Sequence, residues 1–281
     1  MESELTYREV FHNNLIIVVN AIPEGQLQSA KRVAENIQDH LSATQLSGSC
    51  HYEKIRTANE LRKIFSSLEY YCAEEGAYPV LHIEAHGLES VGLDIFGEIV
   101  TWDELHRLSR KVNILAKNNF GLILAGCYGN EITKLVELDA PCAFRFILGP
   151  SSEVKAGVIE DQTTKFYKDI ISTGDLNSAV SHVEEQFIYF MCSRFFLTAM
   201  SRFFARHAGG KYQRELRERM LTRTLEGLPN NKYMRKAARS KIKEMFINPE
   251  EFIMGSMARF LHGETPVSYA ELKSFYMQIK I

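Results

Sequence analysis

The sequence has no cysteine pair. Its five cysteines, Cys50, Cys72, Cys127, Cys142 and Cys192, are odd in number and widely spaced, and no two form a CxxC. This argues against a disulfide framework or a zinc knuckle and predicts a reducing, cytoplasmic setting. No secretory leader is expected from the opening MESELTYREV, which is acidic and has no apolar stretch. There is no long apolar run. The longest, FIYFMCSRFFLTAMSRFF, is broken by Arg194 and Arg202 and makes a poor membrane span, so no membrane partner is expected. Charge of one sign does not dominate either: 33 Lys and Arg stand against 35 Asp and Glu. Taken whole, the chain does not advertise a polyanionic or lipid partner. What is present is an ordinary globular composition, 45% hydrophobic and 24% charged over 281 residues. That length suffices for one large domain or two small ones with a sizeable core.

Strand-like and helix-like segments alternate through the first half. Asn14–Ala21 (NLIIVVNA) is a β-branched apolar run, the form of a strand buried on both faces. Ser29–Leu41 has helical periodicity, Cys50–Arg56 reads as a second strand, and Thr57–Glu75 reads as a helix opened by a Thr57/Glu60 capping box. Tyr78–Ala85 is a third strand and Gly92–Val100 a small hairpin. Thr101 caps a helix from Trp102 to about Asn118, and Phe120–Ala125 is a fourth strand. Asn130–Leu138 reads as a short helix, Cys142–Leu148 as a fifth strand, and Glu160–Thr173 and Leu176 onward as helix. The alternation predicts an α/β fold over residues 1–182, with a mostly parallel sheet sandwiched by helices.

Residues 183–281 read as a helical region with no strand. Tyr189, Phe190, Phe195, Phe196, Phe203 and Phe204 recur at roughly helical spacing, which fits packing onto the α/β part or a small bundle. Between residues 202 and 243 lie 13 Lys and Arg against only Glu215, Glu218 and Glu226. The near-neutral total thus hides an acidic part and a basic part. The basic run reads first as a solvated helix face and next as a docking surface for an acidic regulatory protein. Direct nucleic-acid binding comes last, because no recognised motif accompanies the charge.

Two strand ends carry reactive groups. In VLHIEAHGLES, His82, Glu84 and His86 alternate along one strand and share a face. That spacing suits a metal, although satisfied polar residues inside a sheet are the commoner outcome. His86 stands apart, since it falls where the strand ends and Gly87 follows. Catalytic groups gather at the carboxyl ends of parallel strands, and glycine lets a backbone N–H approach a ligand closely. In FGLILAGCYGNEI, Cys127 stands just past the next apolar run, ahead of a predicted helix whose dipole favours a thiolate. Buried, inert packing is the usual fate of a cysteine, and it is the reading of the other four. Adjacent strands would bring His86 and Cys127 to one cleft as base and nucleophile. The amides of Gly87 and Cys127 would then form an oxyanion hole.

These pieces together resemble the caspase-like cysteine peptidases of the CHAT branch, a group that in a wider sense includes the separases. The resemblance rests on the strand-end His86-Gly87 of LHIEAHG, the hairpin GLDIFGEIVTWDEL, and LILAGCYG with Cys127 and Gly129. FRFILGPSSEV and VIEDQTTKFYKDIISTGDLNSAV add to it, over about Leu15 to Val183. It implies a caspase-like sheet, with His86 as general base, Cys127 as nucleophile and peptide-bond hydrolysis through a thioester. It also implies a regulated protease of a prokaryotic stress, cell-death or antiphage system. Ala125-Gly126 replaces the Gln-Ala that precedes the caspase cysteine, so preference for aspartate is not implied. Asp161 and Ser151 are the implied substrate-binding residues. Asp161 is offered as a pocket floor for a basic side chain, and the alternative is a cap on a helix starting near Gln162. The resemblance gives His82 a supporting role near the sheet edge. No cofactor or metal is expected, and the partner is a protein substrate. Two rivals stand: a silent protein-binding module, and a metal-dependent hydrolase built on His82, Glu84 and His86.

Overall fold

The computed structural model describes residues 9–44, 48–183, 187–207, 210–226 and 231–278. The chain divides into two compact units, one of residues 8–192 and one that groups residues 1–7 with 193–281. In the first, β1 (Leu15–Asn20) is buried at all six positions. Leu15, Ile17 and Val19 enter one core, while Ile16 and Val18 enter another, because successive strand side chains point to opposite faces. The first core is closed by α2 (Ala58–Glu74) and α3 (Trp102–Leu115), through Leu61, Phe65, Leu105 and Val112. The second is closed by α1 (Ala30–Thr44), α4 (Ala156–Thr173) and α5 (Leu176–Ser181), through Val33, Ile37, Phe166, Ile170 and Ala179. The result is a sheet with helices on both faces, as the alternating pattern predicts.

Flanking β1 are β2 (Ser49–Lys54) and β3 (Pro79–Glu84), both parallel to it. After β3 the chain leaves the sheet for a small antiparallel one, made of β4 (His86–Leu88), β5 (Gly92–Ile95) and β6 (Glu98–Thr101). The turn from β5 to β6 places Phe96 and Gly97 at φ 53° and 87°. Two consecutive left-handed residues are what a two-residue hairpin requires. The main sheet resumes with β7 (Gly121–Leu124) and β8 (Phe146–Pro150), both parallel. It ends with β9 (Phe187–Met191), antiparallel to β8. The strand order is β2-β1-β3-β7-β8-β9. Thr57 forms the full capping box with Glu60, and the Thr101 side chain accepts from the Glu104 amide.

β9 corrects the expectation that residues 183–281 hold no strand. FIYFM runs straight into the helix α6 (Cys192–His207), so the apolar pattern has no break at the change of structure. Tyr189 and Phe190 therefore belong to a strand, and the expected boundary at 182/183 falls before the sheet is complete. Two further elements shift. β8 starts at Phe146 rather than Cys142, because the Arg145 amide donates to the Phe120 carbonyl and Asn113 Nδ2 to the Cys142 carbonyl, outside the ladder. α4 starts at Ala156 rather than Glu160, with Lys155 as a cap whose side chain makes no capping bond, so no start signal is written there.

The second unit is helical: the rest of α6, then α7 (Gly210–Leu225), α8 (Lys232–Ile247), α9 (Pro249–Phe260) and α10 (Tyr269–Gln278). Its centre holds Phe196, Ile253, Met257, Phe260 and Leu272, all fully buried. Phe196 stacks on Phe260 with centroids 5.4 Å apart, and Phe203 on Phe246 at 6.3 Å. The Phe204 side chain lies outside the described residues. Among the described residues no helix is long and apolar enough to cross a membrane.

Candidate active site

The parallel ladder between β3 and β7 sets the site. It pairs Ile83 with Leu124, and three residues further along each strand come His86 and Cys127. Both stand past the carboxyl ends of neighbouring inner strands, His86 as the first residue of β4 and Cys127 on the turn after β7. Two glycines allow the chains to meet there. A Cβ on Gly87 would lie 1.7 Å from the Cys127 carbonyl oxygen, and one on Gly126 would lie 2.1 Å from the Ala85 carbonyl oxygen. No real Cβ tolerates either distance, so HG and AGC are steric requirements of this crossing.

Past Cys127 the chain turns sharply. Tyr128 sits at φ 60° and ψ 17°, a left-handed conformation that is unusual for a tyrosine, and the Gly129 amide donates back to the Gly126 carbonyl. The helix that follows is a seven-residue 3-10 helix, Gly129–Leu135, in place of the expected Asn130–Leu138 helix. Cys127 is thus presented by a strained strand-to-turn bend, and it is the one cysteine that is partly exposed; Cys50, Cys72, Cys142 and Cys192 are buried. No acceptor for the Cys127 amide occurs among the described residues, which leaves that N–H available to a ligand.

His86 is exposed, and its Nε2 lies 2.8 Å from Gln26 Oε1. An amide oxygen only accepts, so this bond holds the ring proton on Nε2 and leaves Nδ1 as the basic nitrogen. Gln26 is the residue that sequence reasoning missed. It lies on the connection from β1 to α1, sixty positions away, and nothing local marks it.

That connection is tied to β3 by Glu84. The buried Ser29 hydroxyl donates to Glu84 Oε2 at 2.9 Å, and the Ala21 amide donates to the Glu84 carbonyl at 2.8 Å. His82 is fully buried, with Nδ1 3.3 Å from the Tyr167 hydroxyl and Nε2 3.6 Å from Glu84 Oε1. His82 and Glu84 therefore point beneath the sheet's rim while His86 stays outside, on β4. The three do not converge. Among the described residues no group of three His, Cys, Asp or Glu side chains is placed to hold a metal ion. His82 lies on β3, an inner strand, and not near the sheet edge where the resemblance places it.

Asp161 and Ser151 are both exposed. Asp161 lies more than one turn inside α4, so it does not cap a helix start. Gln162 and Thr163 beside it are buried, which turns Asp161 to the outer side of the helix. Two other acids act on Tyr128, the residue after Cys127. Desolvation first, and then the charges of Glu153, Glu89 and Cys127, raise the Tyr128 phenol above its usual range. Glu89 follows β4 and Glu153 follows β8, so both belong to the same rim. A cavity of about 460 Å³ opens elsewhere, among β1, β2 and α2, and neither His86 nor Cys127 lines it.

No protein-family model matches the sequence, and no curated protein matches it significantly.

Proposed function

We propose that the chain is a cysteine endopeptidase acting through Cys127 and His86. The observation that supports this reading is the close approach of the two chain segments that follow the neighbouring strands β3 and β7, with glycine at each contact, Gly87 against the Cys127 backbone and Gly126 against the Ala85 backbone. In the proposed reaction His86 Nδ1 takes the thiol proton and Cys127 Sγ adds to the scissile carbonyl carbon. The developing oxyanion meets the Cys127 and Gly87 amides. The proton then passes to the leaving amine, and water hydrolyses the thioester, returning Sγ as thiol. Gln26 keeps the imidazole in the tautomer this sequence requires. The acidic rim of Glu89 and Glu153 favours a basic side chain near the scissile bond, with Asp161 and Ser151 as further candidate contacts. The regulated role implied by the resemblance, with a protein partner at the helical region, belongs to the same proposal.

A peptidyl acyloxymethyl ketone library tests the reading. The wild-type chain should be labelled at Cys127, and His86→Ala should slow labelling by about 100-fold, the usual contribution of a positioned base. Labelling independent of His86, or none with any peptide, would instead support the silent binding module.

A further inference from the structure

The helical unit carries a feature that a peptidase site does not use. Residues 193–281 hold 17 Lys and Arg against 8 Asp and Glu, a net of +9, which leaves −11 for residues 1–192. Part of the excess is ordered on α8. From Lys232 to Lys243 there are six cations and no acid. Lys232, Arg235, Lys236, Arg239 and Lys243 follow the i, i+3, i+4, i+7, i+11 pattern, so at 3.6 residues per turn they occupy one arc of about 100° and a length of about 16 Å. All five are exposed. Of the buried residues, Met245 lies well away from this arc and Ile242 borders its edge next to Arg235. Arg239 meets Glu218 of α7 at 3.7 Å, but both side chains are more than half exposed and such a pair is weak.

The composition of the stripe discriminates between partners. Protein interfaces concentrate aromatic and apolar anchors at their centres and are poor in lysine. Here three of the five cations are lysine, and Ala237, Ala238 and Ser240 between them offer no anchor. The one large group is Tyr233, 79% exposed beside Lys232 and one turn from Lys236. A cationic track with an outward aromatic ring is the combination that grips phosphates and stacks a base. We propose that this face of α8 binds single-stranded nucleic acid, with the stripe on the backbone and Tyr233 against a base. Duplex is the poorer fit, since its bases are already stacked and offer Tyr233 nothing.

Fluorescence anisotropy of the full chain with a labelled single-stranded oligonucleotide of mixed sequence tests this. Five neutralised phosphates predict that affinity falls about 100-fold between about 50 and 200 mM salt. The triple variant Lys232→Gln/Lys236→Gln/Lys243→Gln should weaken binding strongly at low salt and lower the log–log salt slope by about 2. Tyr233→Ala should cost about 10-fold, with its thermal transition unchanged. Three results would overturn the proposal: no binding at low salt, binding that the triple variant leaves intact, or tighter binding to duplex. Tighter binding of an acidic polypeptide such as polyglutamate would overturn it in favour of a protein partner.

Discussion

Cys127 differs from the other cysteines in its surroundings. Burial pushes the Cys50 and Cys72 thiols up to about 12 and raises Cys192 well above its ordinary value, the last with help from Cys142. Thiols in that state neither ionise nor meet reagents at neutral pH. The folded chain should therefore react with one equivalent of Ellman's reagent quickly and with the remaining four only after denaturation. Cys127→Ala should abolish the fast phase, as read by absorbance and intact mass. Gly87 offers a sharper test of the crossing. Its missing Cβ would fall 1.7 Å from a carbonyl oxygen, where no flexible side chain can yield. Gly87→Ala must displace β4 from the Cys127 loop, at a cost of at least about 2 kcal/mol or a shifted strand. Denaturant unfolding and the rate of Cys127 alkylation read the two outcomes, and an unchanged value of both would contradict the geometry.

Among the elements, α3 carries a pH dependence. His106 faces inward, 6% exposed, with its ring edge toward Phe144. Burial first, and the Arg110 charge second, push its pKa down to about 4, with Asp103 opposing. An unfolded imidazole titrates near 6.5, so its folded value is depressed and protonation favours the unfolded chain. The contribution is complete above about pH 6.5 and is lost as pH falls from there to about 4. Urea midpoints should decline across that window, and His106→Leu should flatten the decline. A decline of equal size in the variant would assign it to other groups. The elements also show what was legible. Five parallel strands and the Thr57 and Thr101 caps follow from local pattern, because hydrophobic period and capping residues are written within a few residues. Three features do not. β9 hides in an apolar run that continues into a helix. The start of α4 has no capping side chain. Gln26 reaches His86 only through the fold, tied by Ser29 and Glu84 from a neighbouring strand. Contacts across sixty positions leave no period to detect.

At the scale of the whole molecule, β9 decides where the α/β unit ends. All five residues of β8 are buried, and β9 covers its outer edge through a ladder from Phe146–Met191 to Pro150–Phe187. Phe190 adds an edge-on contact to Phe144 at 5.6 Å, and the Cys192 amide donates to the Arg145 carbonyl. A chain cut at the boundary read from sequence, after residue 182, would expose an apolar strand edge with unpaired N–H and C=O groups. Such an edge is a template for aggregation. A chain cut after Cys192, where the two units divide, keeps the edge covered. Expressed side by side, the 1–192 fragment should be soluble, elute as a single species and retain fast reaction at Cys127, while the 1–182 fragment should aggregate. If both fragments are soluble and equally reactive, β9 is dispensable to the sheet. If neither is soluble, the helical unit stabilises the α/β unit beyond the cover that β9 provides. Retained reactivity in 1–192 would place the whole of the proposed chemistry in the α/β unit and leave the basic helices free for a separate task.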